Sequence, residues 1–335
     1  MAQALQTYEC KTSSNERKGK GEKMKNLQMK SLSSLTTVIL LVLCSAADAS
    51  AAKASYLYSF SNFTGSLPYS WVRLASDKEH GEIYVINDGI VTVFNSEGME
   101  IFHFGDEGNL GGITDVAVEK DGKILLLSYT GDTYSVLRCN FRGEPKETIQ
   151  LSGLPQEFSQ FSPRRLVYWK GYLYLADPFT RKVVVTDSRG IFVDGYDVGA
   201  VLAAEEKPGS ENNIFGFNVD REGNMLVTIP TLFRAYRISR DHKVESFGAP
   251  GNLEGLFNVV SGIASDDRGY IYVVDTLKSV VMVYDKDFSF KVQFGYRGNN
   301  KDNLIAPQQL EVLGDKLFVS QARKRGISVF RISYD

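Results

Sequence analysis

The segments "GEIYVIN" (81–87) and "GYIYVVD" (269–275) share one pattern, although almost two hundred residues separate them. Each begins with glycine, continues into an Ile-Tyr-Val run, and ends on a polar residue, which is typical of a short β-strand entered from a turn. Four further copies occur in the chain: "GKILLLS" (122–128), "GYLYLAD" (171–177), "GNMLVTI" (223–229) and "DKLFVSQ" (315–321). The pattern therefore predicts a repeat architecture.

The spacing of the six copies indicates the size of one repeat. Their apolar anchors lie 41, 49, 52, 46 and 46 residues apart, and further β-rich runs such as "IVTVF" (90–94) and "SVVMVY" (279–284) lie between them. Each unit therefore predicts four short strands without helical periodicity. One four-stranded sheet cannot bury both of its faces, whereas six sheets packed around an axis can. We therefore predict an all-β fold, a six-bladed β-propeller.

The two ends of the propeller predict how the ring closes. The third strand of blade six ends near Phe330, and "RISYD" (331–335) leaves little chain for a fourth strand. The alternating segment "SYLYSFSN" (55–62) has no blade of its own. We expect it to complete blade six; the alternative is an unpaired leader.

The repeats resemble NHL repeats. Blade five, "SGIASDDRGYIYVVDTLKSVVMVYDKDFSFKVQFG" (261–295), matches that pattern best, and blades one and four end on "IFHFG" (101–105) and "VESFG" (244–248) as the pattern requires. Blades two, three and six are degenerate. The resemblance implies a six-bladed propeller and leaves the function open, because this architecture carries many functions.

The N-terminal residues predict export. The apolar run "LTTVILLVL" (35–43) follows Lys25 and Lys30 and precedes the small-residue segment "SAADASAAKA" (45–54), which is typical of a secretory signal. The run is too short for a permanent membrane anchor. We predict an upstream extension (1–23), a signal peptide (24–49) and one propeller domain (50–335), located in the periplasm or outside the cell. The net charge of −2 argues against nucleic acid as a partner.

The repeat register predicts a binding face. The first strand of each blade starts, and the second strand ends, at the same end of the ring, near the axis. Side chains at these positions are Arg73, Asp115, Arg164, Gln308, Asn87, Asp177 and Asp275. Gly216 and Gly262 hold the equivalent first-strand positions of blades four and five, which suggests that the fold does not require a side chain there. Two alternatives are structural: the aspartates bond the next turn, or arginine and aspartate neutralise each other.

Aromatic residues are predicted beside this face. Tyr69, Trp71 and Phe161 lead into the first strands of blades one and three and would surround the site, unless they pack beneath the loops. Aromatic residues with arginine are typical of protein contact surfaces.

Catalytic sites receive less support from the sequence. His80, His103 and His242 occupy none of the shared axial positions, which argues against a histidine metal site. A calcium site would draw on oxygens of Asn87, Asp177 and Asp275, but no axial glutamate is predicted.

We therefore expect a monomeric scaffold that binds a protein or peptide in an envelope or extracellular assembly, with no resident cofactor. The alternatives are a calcium-dependent hydrolase or lyase on the same fold and a non-catalytic binder of small ligands or glycans.

Overall fold

The structure is a computed structural model that describes residues 52–62, 65–70, 72–106, 108–203 and 211–334. The predicted extension (1–23) and signal peptide (24–49) lie outside the described residues. Six four-stranded antiparallel sheets make up the fold, which confirms the predicted six-bladed propeller. The one α-helix in the described ranges is α1 (Val198–Leu202), in the connection between blades three and four.

The chain begins with the strand β1 (Ala52–Ser59) and the small hairpin β2 (Ser61–Asn62) and β3 (Gly65–Ser66). Blade one contains β4 (Arg73–Asp77), β5 (Glu82–Asn87), β6 (Ile90–Asn95) and β7 (Glu100–Phe104). Blade two contains β8 (Gly112–Val118), β9 (Ile124–Thr130), β10 (Thr133–Cys139) and β11 (Pro145–Ile149). Blade three contains β12 (Arg165–Trp169), β13 (Tyr172–Asp177), β14 (Lys182–Asp187) and β15 (Phe192–Asp197).

Blade four contains β16 (Phe217–Val219), β17 (Met225–Ile229), β18 (Arg234–Ile238) and β19 (Val244–Phe247). Blade five contains β20 (Val260–Ser265), β21 (Ile271–Asp275), β22 (Val280–Tyr284) and β23 (Phe290–Phe294). Blade six contains β24 (Pro307–Leu313), β25 (Lys316–Gln321) and β26 (Ile327–Tyr334). Single 3-10 turns occur at Gln156–Phe158 and Pro230–Leu232.

The N-terminal strand closes the ring. β1 pairs antiparallel with β26, from Ala52 opposite Tyr334 to Ser59 opposite Ser328, and so supplies the fourth strand of blade six. The strand begins three residues before the predicted segment, because β26 continues to Tyr334 and offers pairing partners to its end. The ring of Tyr56 meets the edge of Phe330 at 5.9 Å, which adds side-chain packing to the backbone pairing.

The repeated glycine and the acidic residue before it form the turns between strands. In blade five the Asp266 carboxylate accepts hydrogen bonds from the backbone N–H groups of Arg268 (3.0 Å) and Tyr270 (2.9 Å). Gly269 takes a φ of +90°, which a side chain would disfavour. The recurring sequence therefore reflects the turn chemistry of a blade.

The tyrosine of the repeat joins neighbouring blades. Tyr174 is buried, and its hydroxyl donates to the Gly223 carbonyl of blade four at 3.1 Å. Tyr272 is also buried; its hydroxyl donates to Asp266 of its own blade at 3.0 Å and is hydrogen-bonded to the Tyr334 hydroxyl of blade six. A buried tyrosine needs a partner for its hydroxyl, so these bonds fix the angle between successive sheets.

The first strands of the six blades, here called the inner strands, surround the axis and contact one another. Blades four to six approach most closely. A Cβ on Gly262 would lie 2.6 Å from the Gln308 carbonyl oxygen, and one on Gly216 would lie 2.3 Å from that of Ser261. The interpretation that these positions merely tolerate glycine is therefore wrong, because close strand approach requires it.

Candidate functional site

The antiparallel blades give the ring two different ends. The connections from second to third strands and from one blade to the next share one end, here called the loop end. The hairpins from first to second and from third to fourth strands share the other, here called the turn end. Contacts within the loop end support this assignment, since Lys278 Nζ donates to the carbonyls of Leu253 (2.8 Å) and Leu256 (3.0 Å) across two such connections.

A cavity of about 290 Å³ lies on the axis. Its lining runs from the inner strands into the first hairpin of the blades, so the cavity extends toward the turn end and not toward the loop end that the sequence predicted. Charged side chains from four inner strands line it, among them Arg73, Asp115, Arg165 and Glu311, and further charged residues of both signs in the first hairpins line its turn end. The cavity is therefore polar and lies inside the ring.

Asp115 occupies an irregularity where β8 slips one residue against β9. Its carboxylate accepts the backbone N–H groups of Leu166 (2.9 Å) and Val116 (3.1 Å), and so caps the free inner edge of blade three. Burial raises the pKa of this carboxyl to about 6, while the attraction of Arg73 acts in the opposite direction. Asp115 thus joins blades two and three and faces the axis.

Glu311 lies on β24 and lines the same cavity. Its Oε1 accepts a hydrogen bond from Ser76 Oγ at 2.7 Å. Burial raises the pKa of Glu311 to about 7; Asp115 adds to this rise, and Ser76 and Lys78 oppose it. The expectation that no glutamate lies at the axis is therefore wrong. The comparison of strand starts missed Glu311, because it lies in the middle of its strand.

Two arginines line the cavity without a carboxylate partner. The Arg73 guanidinium makes no ion pair within 4.0 Å to any described residue, and burial lowers its pKa although Asp115 lies close enough to oppose this. Arg165 Nη1 donates to the Arg164 carbonyl at 2.7 Å. Its Nε is buried and has no hydrogen-bond partner among the described residues. The N–H donors of both arginines face the cavity, so a ligand bound there would supply the missing hydrogen-bond acceptors.

The predicted site residues do not all converge. Arg73 and Asp115 line the cavity, whereas the exposed Arg164 lies over the rings of Tyr134 (5.5 Å) and Phe179 (5.0 Å). The register differs by one residue in blades three and six, where Arg165 and Gln309 line the cavity in place of Arg164 and Gln308. Gln308 is buried, and Asn87 donates to the neighbouring Asp88 at 3.1 Å. A binding role for these side chains stays a prediction.

Asp177 and Asp275 hold the loop end together. Both are buried at the end of a second strand. Asp177 accepts the N–H groups of Ser162 (3.2 Å) and Phe179 (3.0 Å), and Asp275 accepts those of Asn258 (2.6 Å) and Lys278 (2.9 Å). Each carboxylate therefore ties two loops, as the structural alternative expected.

The predicted rim aromatics are partly buried where the structure describes them. Tyr69 packs against Phe94 with ring centroids 6.5 Å apart, and Phe161 packs on the core between blades two and three. Trp71 lies outside the described residues. Other apolar side chains are exposed at the loop end: Tyr129, Phe179, Val201, Phe233, Leu253, Val259, Leu277 and Tyr296. Sequence periodicity missed most of them because they lie in loops; the exceptions are Tyr129, near the end of β9, and Val201, in α1.

The three histidines lie apart, each beside its own carboxylate. His80 contacts Asp77 at 2.7 Å, and the other two pair with Glu100 and Asp194. Among the described residues no group of three or more metal-binding side chains is arranged to hold a metal ion. No helix within the described ranges is both long and apolar enough to cross a bilayer.

Sequence comparison finds one partial relative. No protein-family model matches the chain. The brain tumor protein of Drosophila melanogaster is 31% identical over 87 residues, which is 25% of this chain and only 8% of that protein. The match hints at NHL repeats within that segment and does not establish a family for the whole chain.

Solved structures share the fold at low identity. A Bacteroides thetaiotaomicron protein of unknown function has a TM-score of 0.59 at 12% identity, over 84% of this chain and 76% of that one. A gluconolactonase from Xanthomonas campestris has a TM-score of 0.54 at 11% identity, covering 87% and 93%. Virginiamycin B lyase from Staphylococcus aureus, in a catalytically inactive histidine-to-alanine form with quinupristin, has a TM-score of 0.52 at 10% identity, covering 81% and 86%. These likenesses show the propeller fold alone.

Proposed function

We propose that this propeller is an exported module that binds a protein or peptide through its loop end. The observation that carries the proposal is the distribution of exposed apolar side chains. Of the thirteen large apolar residues exposed in the described ranges, seven belong to loop-end connections and an eighth, Tyr129, lies near the loop end of β9. Soluble proteins seldom concentrate exposed apolar residues on one surface without a partner to cover them.

The chemistry of this end suits a protein surface. Phe179 and Leu277 stand at equivalent connections of blades three and five, 59% and 66% exposed. Arg164 stacks on the exposed Phe179 ring, and arginine with aromatic residues is frequent where binding energy concentrates. Asp177 and Asp275 fix the loops from below, so the surface is ordered before a partner arrives and less entropy is lost on binding.

Export is part of the proposal and rests on the N-terminal sequence. We expect the expressed protein to be processed near Ala49 and recovered from the periplasm or the medium. N-terminal sequencing of the recovered protein tests this. An unprocessed chain retained in the cytoplasm would contradict export and leave the loop-end argument unchanged.

The loop-end interface predicts the effect of two substitutions. Phe179→Ser with Leu277→Ser should weaken binding of a cross-linked, identified partner by tenfold or more, since buried apolar anchors contribute about 2 kcal/mol at an interface. Phe141→Ser is the matched control, because Phe141 is 63% exposed on a turn-end hairpin. Calorimetric titration with the purified partner measures the change.

Equal losses in the loop-end variant and the control would contradict the proposal, as would unchanged affinity in both. Light scattering of the unbound protein tests whether a second copy of the chain occupies the loop end instead. A dimer that dissociates in the loop-end variant would replace the proposed partner by self-association.

A hydrolase or lyase in the axial cavity is the second candidate. Glu311, whose pKa burial raises to about 7, has the protonation behaviour of a general acid or base. Calcium fits the cavity poorly, because it prefers six to eight oxygen ligands, whereas among the described residues no three carboxylate, histidine or cysteine side chains are arranged to hold a metal ion. Elemental analysis of the purified protein tests this candidate: stoichiometric bound calcium would favour the enzyme.

A further inference from the structure

We infer that the axial cavity binds a small carboxylate that also carries hydroxyl groups. This site is independent of the proposed loop-end interface, because its lining belongs to the inner strands and the turn end. Arg73 and Arg165 supply donors from blades one and three, and Asp115 and Glu311 supply acceptors from blades two and six.

The arginines call for an anionic group. A buried N–H without a partner costs free energy, and Arg165 Nε is such a group among the described residues. Arg73 likewise lacks a carboxylate within 4.0 Å in the described part of the chain. Guanidinium groups form charge-assisted, often bidentate hydrogen bonds with carboxylates and phosphates, so an oxyanion is the group that suits these side chains.

The carboxyl groups of Asp115 and Glu311 accept hydrogen bonds, so the ligand should also carry hydrogen-bond donors. Glu311 Oε1 accepts from Ser76, whereas its Oε2 makes no hydrogen bond to a described residue. An anion without hydroxyl groups would offer no hydrogen-bond donor to the carboxyl oxygens of the cavity. The ionised carboxylates would also repel it. A multiply charged anion such as phosphate would suffer more repulsion than a monocarboxylate.

The cavity limits the ligand's size. A volume of about 290 Å³ lies at the lower end of the range of roughly 300–1,000 Å³ that is usual for small-molecule pockets. A hydroxy acid of a few carbon atoms fits inside a cavity of this size. Ligand size and the mixed lining therefore point to the same chemical class.

Calorimetry with four compounds of similar size tests the inference on the full exported domain. Glycerate carries both groups, propionate lacks the hydroxyls, glycerol lacks the carboxylate, and inorganic phosphate is the alternative oxyanion. We expect saturable glycerate binding with a Kd of about 1 mM or tighter, and at least tenfold weaker binding of the other three. Glycerol or phosphate binding as tightly as glycerate would overturn the assignment, and so would absence of glycerate binding.

Variants locate the site. Arg165→Gln and Arg73→Gln should each weaken glycerate binding by tenfold or more. Arg164→Gln is the matched control, since the adjacent Arg164 points to the loop-end rings, and it should change the affinity by less than twofold. Circular dichroism checks that each variant is folded. If Arg165→Gln does not fold, Arg165→Lys replaces it in the test. Equal affinities in the cavity variants and the control would overturn the site.

Discussion

Removal of β1 should destabilise the whole propeller. A chain that starts at Phe60 instead of Ala52 loses the strand that pairs with β26 and exposes an unpaired edge on blade six. It also loses the packing of Tyr56 on Phe330 and the hydrogen bond from the Tyr58 hydroxyl to the Ser96 carbonyl of blade one. We expect a loss of about 3 kcal/mol or more from the lost apolar burial and pairing.

Calorimetric melting of the two chains measures this effect. The shorter chain should melt roughly 5 °C or more below the chain that starts at Ala52, given the usual relation between stability and melting temperature for a domain of this size. Tyr56→Ala within the longer chain separates side-chain packing from strand pairing and should produce a smaller drop. Melting temperatures that agree within about 2 °C would show that ring closure by β1 contributes little.

Glu311→Gln should stabilise the protein at alkaline pH. Glutamine keeps an acceptor for Ser76 and removes the ionisation that burial opposes. The pKa of Glu311 is about 7 in the folded protein and near 4.5 in the unfolded chain, so the wild-type protein loses stability as pH rises through this interval. Above it the variant should be more stable by about 2 kcal/mol, a value that allows for screening by water in the cavity.

A gain in stability distinguishes this prediction from a simple loss of contacts, which would destabilise the variant. Denaturant melts at pH 5 and pH 8.5 should show a small difference between variant and wild type at the lower pH and the full stabilisation at the higher pH. Glu79→Gln, at an exposed residue beside the cavity, is the control and should follow the wild-type profile. A variant less stable than wild type at pH 8.5 would contradict the burial of an ionisable Glu311.

The blade architecture was predictable because strand alternation and turn chemistry are local. The repeat from Gly81 to Asn87 carries its own turn glycine, buried strand and buried tyrosine, and each can be recognised without knowledge of distant contacts. Ring closure was predictable from an unpaired strand at one end and a missing strand at the other.

The axial residues were less predictable, because their placement depends on small shifts within the inner strands. Asp115 sits at an irregularity of β8, and the adjacent residues Arg164 and Arg165 lie on the loop end and in the cavity respectively. Strand ends identified the capping residues Asp177 and Asp275 but not Glu311, whose side chain faces the axis from the middle of β24. Sequence register alone does not resolve which face of an inner strand meets the axis.

Hydrogen exchange of the propeller with and without its purified partner tests the central claim, that the loop end is the binding surface. We expect slowed exchange in the connections after the second strands, at residues 130–133, 177–182, 229–234 and 275–280. The turn-end hairpins at residues 95–100, 139–145 and 187–192 should exchange as in the free protein. Protection confined to these hairpins, with the loop-end connections unchanged, would contradict the account.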